Sequence, residues 1–543
     1  MNPAPTTGPT PSTILWRVRA LGVAFFLVFF AYSSGQQLES SLNGSQGYIC
    51  LFLIYATLSC SFLCAPFVVS YCGEARLSLL LLASACFYVV FVATKLLPRA
   101  GGAATEVIQL LSCAGVGVGG GPLWGAQGYF VGRATAAYRA ALEEGSTLTA
   151  SSISTKLNAA FFSIWMISGG VSNAVNSLVF LTYPDPQEAV FVLFALLTLV
   201  GCLGLAALSV LPIPGEPGQG ILAPPLCLRA ATASPAAAGA RPSEAPTAAL
   251  IPAAPAPASE ERGEEGGEPK CPPVARKRSW VPWEDLEQAP APSVTASAAS
   301  GEAEDSTVPS PLYMLWFIVS HREIAHLGVS SFATGASQGF VGGAWVAAAV
   351  AGTIGPSFVG FVGAAFCVSS ASGAVVWGGL AQRESFGRRY SFVYAHCILL
   401  LWYACNAVAW QASGLETRSA AADGTVPPLP MEKGGLVMLL VLAMCVYSWC
   451  DPVSQAFVVA TAQTYYPKMP KLACASTAPR FFYALGFSLQ QFVALSLKSA
   501  LGRPAFVEQC VLHTCLLLCS ALSLRRLHAF APIDGKPQPA AAR

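Results

Sequence analysis

The chain has 543 residues, of which 54% are hydrophobic and only 11% charged. Soluble domains carry roughly 25% charged residues, so this composition excludes an ordinary soluble domain and puts most of the chain in lipid. A net charge of +2 gives nucleic acid or an acidic partner no bulk attraction. The 18 cysteines are scattered through apolar runs without any C-x-x-C pair, which argues against a disulfide framework and a zinc site. They read as small packing residues. No catalytic constellation is present, so neither an enzyme nor a cofactor or metal is expected.

A membrane helix needs about 20 mostly apolar residues. On that length the chain holds twelve spans, roughly 19–38, 48–70, 77–97, 107–131, 154–181 and 188–211, then 310–341, 354–380, 388–410, 435–461, 472–498 and 502–524. The expected fold class is therefore all-α, a polytopic membrane protein. Span 1 reads LGVAFFLVFFAY over Leu21 to Tyr32, then runs into Gln36, Gln37 and Glu39. Unpaired polar groups cost several kcal/mol in hydrocarbon, so these must face protein, a wet cavity or the interface. A cleaved signal peptide is the rival reading of span 1. Asn43-Gly44-Ser45 follows as a glycosylation sequon.

Span 4 carries Gly115, Gly117, Gly119, Gly120 and Gly121 before Pro122. No strand precedes them, so a dinucleotide loop is excluded in favour of close helix packing or a flexible break. Spans 5 and 7 are long enough to need tilt, a kink or extension beyond the bilayer. Residues 212–308 are rich in Ala, Pro, Glu, Ser and Gly and read as a disordered cytosolic linker. Within it, Arg276-Lys277-Arg278-Ser279 is a solvated charge run with the form of a basophilic kinase site. Lysine and arginine placement orients the chain. With both termini inside, cytosolic segments outside the linker hold 15 and the opposite face 6. The expected organisation is a cytosolic tail (1–18), a six-helix bundle (19–211), the linker (212–308), a second six-helix bundle (309–524) and a cytosolic tail (525–543).

The intramembrane polar residues are the candidate functional groups. Gln36, Gln37, Glu39, Gln127, Asn158, Gln338, Asp451 and Gln455 are expected to line a central cavity. Asp451 precedes Pro452, which frees a carbonyl and favours a kink. With Arg480 in the next span, Asp451 is expected to form an intramembrane pair.

Six spans, a long linker and six more spans is the layout of the major facilitator architecture, with two halves related as parallel repeats. The loop after span 8, GGLAQRESFGRR, resembles that superfamily's loop signature through Gly379, Arg383, Gly387, Arg388 and Arg389. Gln382 stands where the signature has an acid. Several segments are similar to the Unc-93-like family of that superfamily: AYSSGQQLESSLN from Ala31, LWGAQGYFVGR from Leu123, NAAFFSIW from Asn158, GASQGFVGG from Gly335, WCDPVSQAFV from Trp449 and RFFYALGF from Arg480. They occur in the family's order across both halves. At Glu39 the family more often has an amide.

This resemblance implies a non-enzymatic accessory subunit that regulates or escorts another membrane protein, an ion channel or a receptor. The alternative is a secondary transporter of a small solute, working by rocking of the two halves around a central site. Membrane lipid is a partner under both readings.

Overall fold

The computed structural model describes residues 10–42, 44–73, 76–97, 102–142, 148–182, 186–208, 310–383, 385–413, 433–468 and 470–534. The 212–308 stretch with its Arg276-Lys277-Arg278-Ser279 site, and Asn43, lie outside these residues, as do the side chains of Gln37 and Glu39.

The first six helices are α1 (Pro11–Leu42), α2 (Gly44–Cys72), α3 (Leu77–Thr94), α4 (Gly102–Ala140), α5 (Ala150–Thr182) and α6 (Pro186–Leu208). The seventh, α7, comes in two pieces, Pro311–Ser320 and Arg322–Gly339, the latter running on as a π-helix over Phe340–Ala351. Next come α8 (Val359–Ala381) and α9 (Gly387–Ser413). The tenth, α10, starts as Lys433–Pro452, passes through π turns at Val453–Phe457 and ends as Val458–Tyr465. Last are α11 (Lys471–Leu501) and α12 (Phe506–Phe530).

Among the described residues, eight candidate membrane spans meet the length and apolarity needed to cross a membrane. Among the helices outside that set, α5, α7 and α11 carry rows of buried Ser, Thr, Asn and Gln, such as Asn158, Ser330, Ser337, Gln490 and Gln491. Their polar faces turn to protein, not lipid, so mean hydropathy understates them.

Several boundaries differ from expectation. The first ten residues of span 7 form a separate short helix, because His321 takes an extended backbone (φ −107°, ψ 105°). Its start is set by Pro311, with the Ser310 hydroxyl accepting from Tyr313 N at 3.1 Å. Span 8 starts at Val359, five residues late, since Gly355 (φ +104°) and Pro356 interrupt the chain. At the other extreme, α1 and α4 outrun their apolar cores to Pro11 and Ala140, where no residue breaks the helix.

Helix pairing shows the internal repeat that sequence identity hides. Within the first half α2 packs on α4, and α1 on α5 and α6; in the second, α8 packs on α10, and α7 on α11 and α12. The pairs recur six helices later, the arrangement of parallel repeats. The halves meet along α2–α11 and α5–α8, which the same shift exchanges.

The glycine run of span 4 packs; it does not break the helix. A Cβ at Gly117 would collide with Thr57 Oγ1 and Ile54 O, and one at Gly121 with Ser61 Oγ. That close approach lets the Thr57 and Ser61 hydroxyls donate across the seam to Ala114 O at 3.2 Å and Val118 O at 2.6 Å.

Candidate functional site: a central cavity between the halves

A cavity of about 180 Å³ lies between the two halves. From the first half come Phe29, Tyr32, Gln36, Tyr55, Tyr88, Trp124, Phe162 and Trp165; from the second come Gln338, Gly342, Val346, Cys367, Gln455, Arg480 and Tyr483. The first-half wall is an aromatic cage. Trp124 meets Trp165 edge-on at 4.8 Å, and Tyr32 meets Tyr88 likewise at 5.1 Å. Ring edges and faces packed this way hold their rotamers and pre-form the wall.

Three of the expected cavity residues line it, Gln36, Gln338 and Gln455. Gln36 Nε2 donates to Tyr55 OH at 2.8 Å, tying α1 to α2. Gln338 Oε1 accepts from Tyr483 OH at 2.7 Å, while its Nε2 donates to Asp451 Oδ1. Gln455 Nε2 donates to both Asp451 oxygens at 2.9 Å. Asp451 thus sits one layer behind the wall, 4% exposed, with Ser370 Oγ donating to Oδ2 at 3.4 Å. The π turns after Pro452 are what bring Gln455 back over this carboxylate: the proline removes an N–H, and the ladder resumes with a wider turn.

The expected Asp451–Arg480 pair is corrected. Arg480 is 8% exposed, and its terminal nitrogens donate to Trp124 O and to Gln127 Oε1, both in the other half. Its guanidinium lies 5.0 Å from the Trp124 ring centre. Asp451 takes only neutral donors. Asp451 found neutral donors on α7, α8 and its own helix, and Arg480 neutral acceptors on α4, which spacing along a single chain does not reveal.

Gln127 and Asn158 are placed in the seam, not on the cavity wall. Gln127 is fully buried against Arg480. Asn158 Nδ2 donates to Gln463 Oε1 at 3.2 Å, and Gln463 Nε2 donates to Gly128 O at 2.9 Å. This cluster crosses between halves near the end of the bundle where α1 starts and α12 finishes, here called the terminus end. The loop signature belongs to the same closure. Gly387 (φ +63°) turns the chain into α9, and Asp534 Oδ1 accepts from Arg388 N at 2.6 Å and Arg389 N at 3.3 Å. The Arg388 side chain, 1% exposed, donates to Thr461 Oγ1 at 2.8 Å and crosses to Ser151 in α5. Arg383 shapes the turn, its carbonyl accepting from Gly387 N at 3.0 Å, and Gly379 has open space around it. Gln463, Tyr55 and Tyr483 were not singled out in the sequence. Aromatics inside apolar runs look the same whether they face lipid or a cavity, and Gln463 sits at a span's edge.

Among the described residues no group of three or more His, Cys, Asp or Glu could hold a metal ion.

No family model and no curated protein matches the chain. Solved structures do. The chain is similar to a xylose transporter from E. coli in a partially occluded inward-open conformation, at 11% identity and TM-score 0.55, over 97% of this chain and 100% of that one. It is also similar to a bacterial homologue of the human drug peptide transporters, at 12% identity and TM-score 0.52, over 96% of this chain and 99% of that one. The likeness is one of fold: this is the major facilitator fold, twelve helices in two six-helix bundles.

Proposed function

We propose that the chain is a secondary transporter of a small solute, working by alternating access, with both termini in the cytosol. The observation that carries this is the cavity itself. It is walled by both halves, presents polar side chains from each, and sits between the α2–α11 and α5–α8 seams on which the halves would rock. The two transporters of like fold support this reading over an accessory role. The accessory reading rests on the Unc-93-like motifs, and the chemistry of the cavity gives it no added support. Neither reading involves turnover of a covalent bond.

The test is solute efflux. Proteoliposomes loaded with a mixture of single-ring-sized acids, bases and neutral polyols are diluted, and the retained contents are assayed by mass spectrometry. At least one solute should leave faster than from protein-free liposomes. Gly342→Phe should abolish that loss: Gly342 lines the cavity, and a Cβ there meets nothing within 4 Å, so a ring fills the solute's space. Protein-independent efflux of every solute contradicts the proposal.

A further inference from the structure

We infer that the solute is a small organic anion with a single-ring apolar body, and that Arg480 is the residue that binds its charge; this rests on the cavity being the transport site. Arg480 contributes the only full charge among the described residues that line the cavity. Its terminal nitrogens donate to a carbonyl and an amide oxygen, so the described residues supply dipoles but no counter-ion. A guanidinium has five N–H donors, and these bonds use two of them. Burying such a cation without an opposite charge costs several kcal/mol, which an anionic ligand recovers. Asp451 does not fill that role, because Gln338, Gln455 and Ser370 already hold its carboxylate behind the wall.

The rest of the cavity describes the body of the ligand. A volume of about 180 Å³ is below the roughly 300–1,000 Å³ of drug-sized pockets, which limits the solute to about one ring. Trp124, lying under the guanidinium, and Trp165 beside it offer ring surface next to the charge. A planar anion would therefore bridge the fork of Arg480 and lie along the aromatic cage.

The experiment measures equilibrium dialysis of the full-length protein in lipid nanodiscs against four probes: benzenesulfonate, the near-isosteric neutral benzenesulfonamide, benzyltrimethylammonium and xylose. Benzenesulfonate should bind at least about tenfold more tightly than the other three, since hydrogen bonds to charged groups contribute roughly 1.5–3 kcal/mol. Arg480→Gln should remove that preference. Because Arg480 also joins the halves, Gln127→Glu provides a second variant: it keeps the side-chain shape, gives the guanidinium an internal counter-ion and should weaken benzenesulfonate about tenfold or more. No benzenesulfonate binding, equal or tighter binding of any other probe, or an unchanged affinity in Gln127→Glu overturns the inference. The two proposals fail separately. Anion-selective binding without protein-dependent efflux sinks the transporter and leaves the anion site. Efflux of a neutral or cationic solute without benzenesulfonate binding does the reverse.

Discussion

Arg480 Nη2 and Gln127 Oε1 lie 2.5 Å apart across the seam between the two halves, one on α11 and the other on α4. The amide thus closes the structure and solvates the charge that faces the cavity. Removing it leaves a buried charged donor short of an acceptor, at roughly 1–3 kcal/mol or more. Gln127→Ala should lower the unfolding midpoint in detergent by several degrees, whereas Gln127→Glu should keep or raise it. Equal midpoints for all three proteins would show that the bond carries no stability.

Asp451 provides a test of the layer behind the wall. Its two oxygens accept from Gln338, Gln455 and Ser370, and Gln455 reaches both. Asp451→Asn replaces one acceptor with an NH2 group that meets donors. The clash should destabilise by roughly 1–3 kcal/mol and loosen Gln455 in the cavity wall. Thermal unfolding followed by tryptophan fluorescence checks it; an unshifted midpoint contradicts the arrangement.

Small residues set the spacing of helices inside each half. A Cβ at Gly335 would run into the Tyr483 carbonyl on α11, whereas one at Gly379 meets nothing within 4 Å. Gly335→Ala should cost about 1–3 kcal/mol through overpacking, and Gly379→Ala should be close to neutral. Comparing the folded, monodisperse yield and unfolding midpoint of the two variants tests the α7–α11 approach.

Much of the fold was legible because its signals are local. Apolar length gave the spans, the Ala-Pro-rich break after Leu211 gave the two halves, and Gly117 to Gly121 gave a packed seam. The missed break at His321 and the late start at Val359 were marked in the sequence, by Ser320-His321-Arg322-Glu323 and by Gly355-Pro356, but reading spans by apolar length passed over both. The candidate site was legible only in part. Gln36, Gln338 and Gln455 are costly polar residues in apolar surroundings, so each announces a polar partner. Which partner it has depends on helix pairing. Asp451 and Arg480, in successive spans, therefore suggested a pair, while the fold gave each a different neighbour.

Closure at the terminus end makes a further prediction. Arg388 reaches Ser151, and Asn158 reaches Gln463, so both bonds must break for the cavity to open there. Ser151→Leu should favour the open form. Cys474, fully buried near the start of α11, then becomes reactive. Maleimide labelling followed by peptide mass spectrometry should show a several-fold faster modification of Cys474 in the variant. An unchanged rate would show that Arg388 does not hold the halves together.

The most direct measurement of alternating access uses a native thiol. Cys367 lines the cavity and is 5% exposed. In sealed vesicles of defined orientation, a membrane-impermeant thiol reagent is added to one face or the other, and the Cys367 peptide is quantified by mass spectrometry. The account predicts modification from both faces in wild-type protein, slowed by excess benzenesulfonate and blocked by Gly342→Phe. Modification from one face alone, or from neither, would contradict it.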